Sequence, residues 1–360
     1  MNPYLKIDLE KIKENTRRTV EICHKQDISV LGVTKGFGAI PDIVKAFLKG
    51  GVDGLADSRM ENIMELHNIN ADAPITLLRI PRLSNVMNVV QYTDASINSE
   101  LAVIKALGEA AEKLHKQHQV VLMLDVGDLR EGILKENLLA SAAMVLKIKG
   151  LKLIGIATNM GCYGGIIPDI QNLGLLASLA AAIETKFDIK LPVISGGGTS
   201  SLKLVEDNLM PQRINQLRIG EGILLGTDTT NSRIIPYLYQ DAFLLGAEVI
   251  EVKSKPSVPN GVIGKDFFGN VPHFTDEGIR QRAIVALGKQ DLYIEGIIPS
   301  ESDIKILGAS SDHLILDITD AARSIRVGDE ITFSLNYSGL LSASTSKFIG
   351  KIFKGGENLD

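Results

Sequence analysis

The chain has 360 residues, of which 45% are hydrophobic and 22% charged, and its formal net charge is −5. That length exceeds one small core and calls for two domains, or one large barrel with an appendage. Mild acidity without a Lys/Arg cluster excludes a nucleic-acid binder, and two cysteines, Cys23 and Cys162, exclude a disulfide framework.

The N-terminus carries acidic residues within its first ten positions and lacks the apolar core of a signal peptide. The most apolar stretch, residues 173–183, is far short of a membrane span. A cytoplasmic protein with free thiols is expected. No spacing of Cys and His suggests a metal site.

Residues 4–9 alternate apolar and polar positions, as a half-buried strand does. Ile12, Thr16, Thr19, Val20 and Cys23 then recur at helical spacing. Strand signals follow at 29–34, 54–56, 75–80, 95–97, 120–126, 153–158, 193–195 and 216–219. Helical stretches separate them at 40–49, 59–68, 84–90, 99–117, 136–148, 169–186 and 201–209. Eight strand–helix units in about 200 residues is the arithmetic of a (β/α)8 TIM barrel. An open doubly wound sheet is the alternative, but no Gly-x-Gly-x-x-Gly fingerprint follows the first strand. Beyond about Asn231 helical periodicity fades. Short β-rich runs appear at 243–252, 282–287, 304–307, 313–318 and 330–335, with turns such as Pro259-Asn260-Gly261 between runs. An all-β domain is expected there, joined by the strand at 4–9.

In a barrel the C-terminal edge of the strands carries function. The first strand ends in Lys35, between Val33-Thr34 and Gly36-Phe37-Gly38. Against apolar walls a lysine loses proton affinity and becomes a nucleophile at neutral pH, although most strand-end lysines point into water. The fifth strand ends in Asp125 to Arg130, and the sixth in Thr158-Asn159-Met160-Gly161-Cys162-Tyr163. After the seventh comes Ser195-Gly196-Gly197-Gly198-Thr199-Ser200-Ser201, and after the eighth Gly220-Glu221-Gly222. Glycine amides with hydroxyl donors at these two strand ends form the usual phosphate site of such barrels. A phosphate site beside a strand-end lysine suits pyridoxal 5′-phosphate (PLP); a phosphosugar aldolase would use the same parts. Arg218 lies in an apolar strand, where it needs either a buried carboxylate or a ligand. Facing the pyridine nitrogen, it could not give up its proton; the cofactor would be a weaker electron sink, suited to simple proton removal and return.

These residues are similar to those of a known group, the fold-type III PLP enzymes, and within it the alanine/ornithine racemase family. The resemblance rests on Val33-Thr34-Lys35, Ala56-Asp57-Ser58-Arg59-Met60-Glu61-Asn62 and residues 217–226, 247–257 and 307–313. It implies a PLP-binding barrel over residues 10–232, and a β domain of residues 1–9 and 233–360 that completes a partner's active site in a head-to-tail homodimer. It implies Lys35 as the Schiff-base lysine and one of two racemisation bases. Arg218 would face the pyridine nitrogen. Ser195, Gly197, Thr199, Gly220 and Glu221 fall where phosphate contacts occur, and Asn159 is placed with them on the cofactor. Arg130, Ser311 and Asp312 are assigned to the substrate.

Departures from the family pattern narrow the chemistry. Lys289 stands where alanine racemases carry a tyrosine base, Met123 where they carry a modified lysine, and Phe348 where a phosphate-binding tyrosine is found. Racemisation needs acid–base groups on opposite faces of Cα. Lys289, His313 and Cys162 are the candidates for the second. The implied activity is racemisation of ornithine or another cationic amino acid, whose side-chain ammonium would meet Asp228, Glu221 or Asp312. An alanine or broad-specificity racemase, a non-racemising PLP enzyme and a PLP carrier are the alternatives.

Overall fold

The computed structural model describes residues 3–69 and 71–355. The chain divides into two compact units: Leu9–Gln240 forms one, and residues 3–8 with 241–355 form the other. The sequence boundary at 232/233 differs from this division by eight residues. The reason is local. Asn15 donates to the carbonyls of Ile223 and Tyr239 and accepts from Tyr239 N, and Ile235 N bonds Gly226 O. Residues 233–240 are thereby tied to the first unit.

β1 (Tyr4–Asp8) belongs to the smaller unit. Eight strands then close into a ring: β2 (Ser29–Val33), β3 (Gly54–Asp57), β4 (Ile75–Leu77), β5 (Ala95–Asn98), β6 (His118–Leu124), β7 (Leu151–Thr158), β8 (Val193–Ser195) and β9 (Gln216–Ile219). All neighbours are parallel, and β2 pairs with both β3 and β9. This is the expected TIM barrel, with strand positions within a few residues of the sequence reading.

Alternation along each strand builds two cores. Ala95, Ile97, Val121, Met123, Ile154 and Ala157 fill one part of the barrel interior, and Leu31, Val33 and Ala56 another. Val120, Leu122, Leu124 and Ile156 turn outward onto helices such as Ile170–Phe187. In β7 the alternation breaks, because Ile154 points in and Ile156 points out. The β6–β7 register skips a residue there, which is a bulge. Gly155 permits it: a Cβ on Gly155 would lie 2.0 Å from Val193 O.

A short hairpin of β10 (Thr227–Asp228) and β11 (Arg233–Ile234) follows the barrel. The smaller unit is a mainly antiparallel sheet built on β12 (Phe243–Pro256). The other strands are β13 (Ile279–Val285), β14 (Ile297–Pro299), β15 (Lys305–Ala309), β16 (Leu314–Asp317), β17 (Glu330–Leu335) and β18 (Gly350–Lys354). Their order is β14-β17-β12-β13-β16-β15, and β1 lies between β12 and β18. The unit is not all β. A helix spans Tyr337–Thr345, capped by Asn336 accepting from Gly339 N, with Leu340 and Ala343 buried. Its Ser and Ala residues give no apolar stripe, so periodicity misses it. Among the described residues, no helix is long and apolar enough to cross a membrane.

Candidate active site

Leu31 and Val33 face the barrel interior, β2 ends at Val33, and Thr34 turns the chain out of the strand so that Lys35 follows at the C-terminal mouth. Lys35 opens the 3-10 turn Lys35–Phe37, which Gly38 closes at a left-handed φ of 63°. Beneath it Phe37 meets Phe47 edge to face at 5.3 Å, both rings fully buried. Burial lowers the proton affinity of the Lys35 ammonium; Arg130 and Arg218 act in the same direction, and Cys162 and Asp57 oppose them. The bland sequence alternative, a lysine in open water, is therefore not what forms.

Arg218 faces inward from β9 and is 6% exposed. Its Nη1 donates to Ser195 Oγ at the end of β8, and its Nη2 to Thr158 O at the end of β7, at 2.6 Å. Among the described residues no carboxylate forms an ion pair with it. Burial pushes its guanidinium down to about 10, so it stays charged at neutral pH. A buried cation without a counter-ion is costly, which removes the structural-pair reading of this arginine.

The glycine loop after β8 forms as expected, but its hydroxyls are sorted. Gly197 takes φ 105°, a backbone region open to glycine. Thr199 Oγ1 accepts from Gly222 N at 3.1 Å and so joins the loops after β8 and β9. Ser201 Oγ donates to Gly196 O at 2.6 Å and Ser200 Oγ to Met160 O at 3.5 Å, so these two hydroxyls serve the backbone rather than a ligand. Gly220 precedes the helix Glu221–Leu225. The Glu221 carboxylate accepts from Thr227 Oγ1, Thr229 N and Thr229 Oγ1. Asp228 is buried on Arg233 and Asn231. Asp228 is thus committed to the fold, whereas the three bonds to Glu221 all fall on Oε1.

Two loops face each other across the mouth. Arg130 is held by Glu131, whose hydrogen bonds keep its guanidinium above the ordinary value. Asn159, with its amide oxygen toward the donors, accepts from Arg130 Nη2 at 3.3 Å and from Met160 N at 3.2 Å. Cys162 Sγ lies 3.7 Å from that amide. A residue given no role from the sequence sets this arrangement. Asp128, 2% exposed, accepts from Gly161 N (3.1 Å), Tyr163 N (3.2 Å) and Gly164 N (3.0 Å). The signal for it was an acid in a Gly-rich turn opposite a second Gly-rich turn that needs acceptors.

The remaining sequence candidates gather in the smaller unit. Gly288 packs against the backbone of Ser311 and Asp312 so closely that a Cβ would lie 2.3 Å from Asp312 N. Lys289 N donates to Ser310 O, and its ammonium sits 3.9 Å above the Phe268 ring. His313 Nδ1 pairs with Asp312 at 2.9 Å, and that bond lowers the proton affinity of the carboxylate. Lys289 and Ser311-Asp312-His313 thus form one group. Lys289, Tyr293, Lys347 and Phe348 line a cleft of about 580 Å³ in the same unit.

A closed barrel with a desolvated lysine at its mouth, a glycine and hydroxyl rim, and a following antiparallel unit define a class of barrel enzyme. Residues 7–228 match the family described as alanine racemase, N-terminal domain. The chain belongs to that family, and it is an amino-acid racemase. It is 42% identical to an ornithine racemase of Acetoanaerobium sticklandii, over 98% of this chain and 99% of the relative. It is 41% identical to a lysine racemase of Thermotoga maritima, over 98% of each. A solved alanine racemase of Clostridium difficile 630 superposes with a TM-score of 0.76, covering 99% of this chain and 97% of the other; at 18% identity the likeness is one of fold.

Proposed function

We propose that this chain is a PLP-dependent racemase of a cationic amino acid, ornithine or lysine, with its reaction centre at the barrel mouth. The observation that carries the reading is Arg218. It is a buried, charged guanidinium aimed into the barrel, and no carboxylate among the described residues forms an ion pair with it. That is a poor structural feature and a good ligand feature.

The residues fit PLP. Lys35 would carry the aldehyde end, Arg218 would donate to the pyridine nitrogen, and the backbone of Gly197, Gly220 and Glu221 with the Thr199 hydroxyl would meet the phosphate. When bound, PLP draws electrons away from Cα and so acidifies its proton. Lys35, held with low proton affinity, takes and returns that proton on one face. Arg130 would orient the carboxylate as a planar donor. Thr158, Ser195 and Thr199 are buried and keep bulk water from the centre.

The second acid–base group comes from Cys162, Lys289 or His313. Cys162 lies in the same unit as Lys35 and acts on its charge. Lys289 and His313 belong to the smaller unit, and in this reading a partner subunit supplies them in a head-to-tail homodimer in the cytoplasm. The side-chain ammonium of the substrate supplies the contrast with alanine. The lysine and ornithine racemases aligned over the whole chain support that choice.

The test is a panel of L- and D-ornithine, lysine, arginine and alanine with the purified holoenzyme, read by chiral chromatography. Interconversion of ornithine or lysine faster than alanine is expected. Alanine as the best substrate would overturn the cationic assignment. Cys162→Ser, Lys289→Ala and His313→Ala identify the second base, because its loss leaves α-proton exchange without inversion.

A further inference from the structure

Lys35 is surrounded unevenly. Arg130 reaches it from the loop after β6, Arg218 from β9, Cys162 from the loop after β7 and Asp57 from β3. Two of these groups are cations that make a charged Lys35 harder to hold. One is a carboxylate. The barrel could stabilise the lysine turn with any small polar residue at position 57, and it places an acid there instead.

Asp57 is the last residue of β3 and is fully buried. The parallel register pairs Val33 with Ala56, so Asp57 lies beside the step from Thr34 to Lys35. Thr34 N donates to Ala56 O at 2.9 Å. Thr34 Oγ1 donates to Asp57 Oδ2 at 2.5 Å. Arg59 N donates to Asp57 Oδ1 at 2.8 Å, and Asn62 Nδ2 reaches both oxygens at 3.1 Å. Asp57 O also accepts from Leu78 N at 2.8 Å, which fixes the strand on its other side.

Each partner of the carboxylate is a donor. Such a shell suits an ionised acid, because the two nitrogen partners, Arg59 N and Asn62 Nδ2, can only donate. Burial raises the proton affinity of Asp57 above the usual carboxylate range, and the bonds from Thr34, Arg59 and Asn62 oppose that rise. The same bonds hold the carboxylate beside the step from Thr34 to Lys35, in a low-dielectric wall where an ionised group acts strongly.

We propose that Asp57 is the positioning residue of the reactive lysine: through Thr34 it fixes the strand end that presents Lys35, and its buried charge offsets Arg130 and Arg218. The offset matters to a base that must both take and return a proton. The two arginines lower the proton affinity of the amine and Asp57 raises it, so the acid opposes their effect. The inference rests on the reading of Lys35 as the reactive group.

The experiment titrates the amine itself. The full chain freed of cofactor is labelled with a trace of acetic anhydride across a pH series, and acetylation of Lys35 is measured by peptide mass spectrometry. Exposed Lys135, with 62% of its side chain in solvent, serves as the internal reference. In the wild type the Lys35 midpoint falls below that of Lys135. In Asp57→Asn it falls further, by about one pH unit, the lower end of the range for losing a nearby opposite charge. Asp57→Ser is equally uncharged and smaller, and it gives the same fall should the asparagine variant not fold. Thr34→Val keeps the charge and loses one tie, so its midpoint does not fall. An unchanged or raised midpoint in both Asp57 variants overturns the proposal, as does an equal fall in Thr34→Val. The titration needs no cofactor. A chain that fails to take up PLP would sink the reading of the site and leave this result standing.

Discussion

Replacing Arg218 by methionine tests whether this arginine is kept for a ligand or for the fold. The lowering of its proton affinity from 12.5 to about 10 measures how poorly the fold holds its charge. Two and a half units correspond to about 3 kcal/mol. The group is a cation whose folded proton affinity lies below the unfolded value, so this cost is present in full at neutral pH and fades only as pH rises above 10 toward 12.5. Almost no solvent reaches the group, so screening takes little away. Arg218→Met removes that cost and fills similar space with a flexible apolar chain. It also gives up the bonds to Ser195 Oγ and Thr158 O, at about 1 to 2 kcal/mol each. The two sides nearly cancel. Urea denaturation of the chain freed of cofactor is expected to show stability within about 1 kcal/mol of wild type. Racemisation is expected to drop about a hundredfold, the scale for losing a preorganised donor. A loss of stability of about 3 kcal/mol or more would mark Arg218 as a structural hub and refute the argument.

Asp128→Ala leaves three backbone donors of the 161–164 turn without their acceptor. At about 1 kcal/mol each, the loss is about 3 kcal/mol by urea denaturation. Hydrogen exchange at Gly161, Tyr163 and Gly164 should speed up; protected amides would show that the turn holds without Asp128. His118 is fully buried on Ser96, and burial pushes it down to about 4. Its unfolded value is about 6.5, so the unfolded chain takes up the proton first and stability falls as pH drops from about 6.5 toward 4. Between pH 7.5 and 4.5 wild type should lose about 2 kcal/mol more than His118→Gln. Equal pH slopes for the two proteins would mean that His118 is charged in the fold.

Much of the barrel was legible because its strands are β-branched runs ended by glycine or a helix start, a signal that survives without tertiary context. Lys35 and Arg218 stood out for a related reason: charged residues at apolar strand positions need an explanation. What the sequence hid was partnership. Ser200 and Ser201 look like ligand donors in a glycine loop, yet Ser201 closes the loop on Gly196 O and Ser200 bonds Met160 O in the loop after β7. Asp228 and Glu221 look like free acids, yet each caps a turn. The roles of Asp57 and Asp128 were hidden because an acid reveals its role through the donors that converge on it, and those come from neighbouring strands and loops. The sequence boundary puts residues 233–240 in the C-terminal domain, yet Tyr239 packs on Asn15, some 220 positions earlier, which no local pattern reports.

The central claim is that Lys35 moves the α-proton of a cationic amino acid and that inversion follows. The direct measurement is α-proton exchange in deuterated water. L-ornithine and L-lysine are offered to the holoenzyme and to Lys35→Ala, with NMR for deuterium at Cα and chiral separation of the products. The account predicts deuterium at Cα in both enantiomers, approaching equal amounts, and no exchange in the Lys35 variant. Undiminished exchange without Lys35, or exchange that returns only the starting enantiomer, would contradict it.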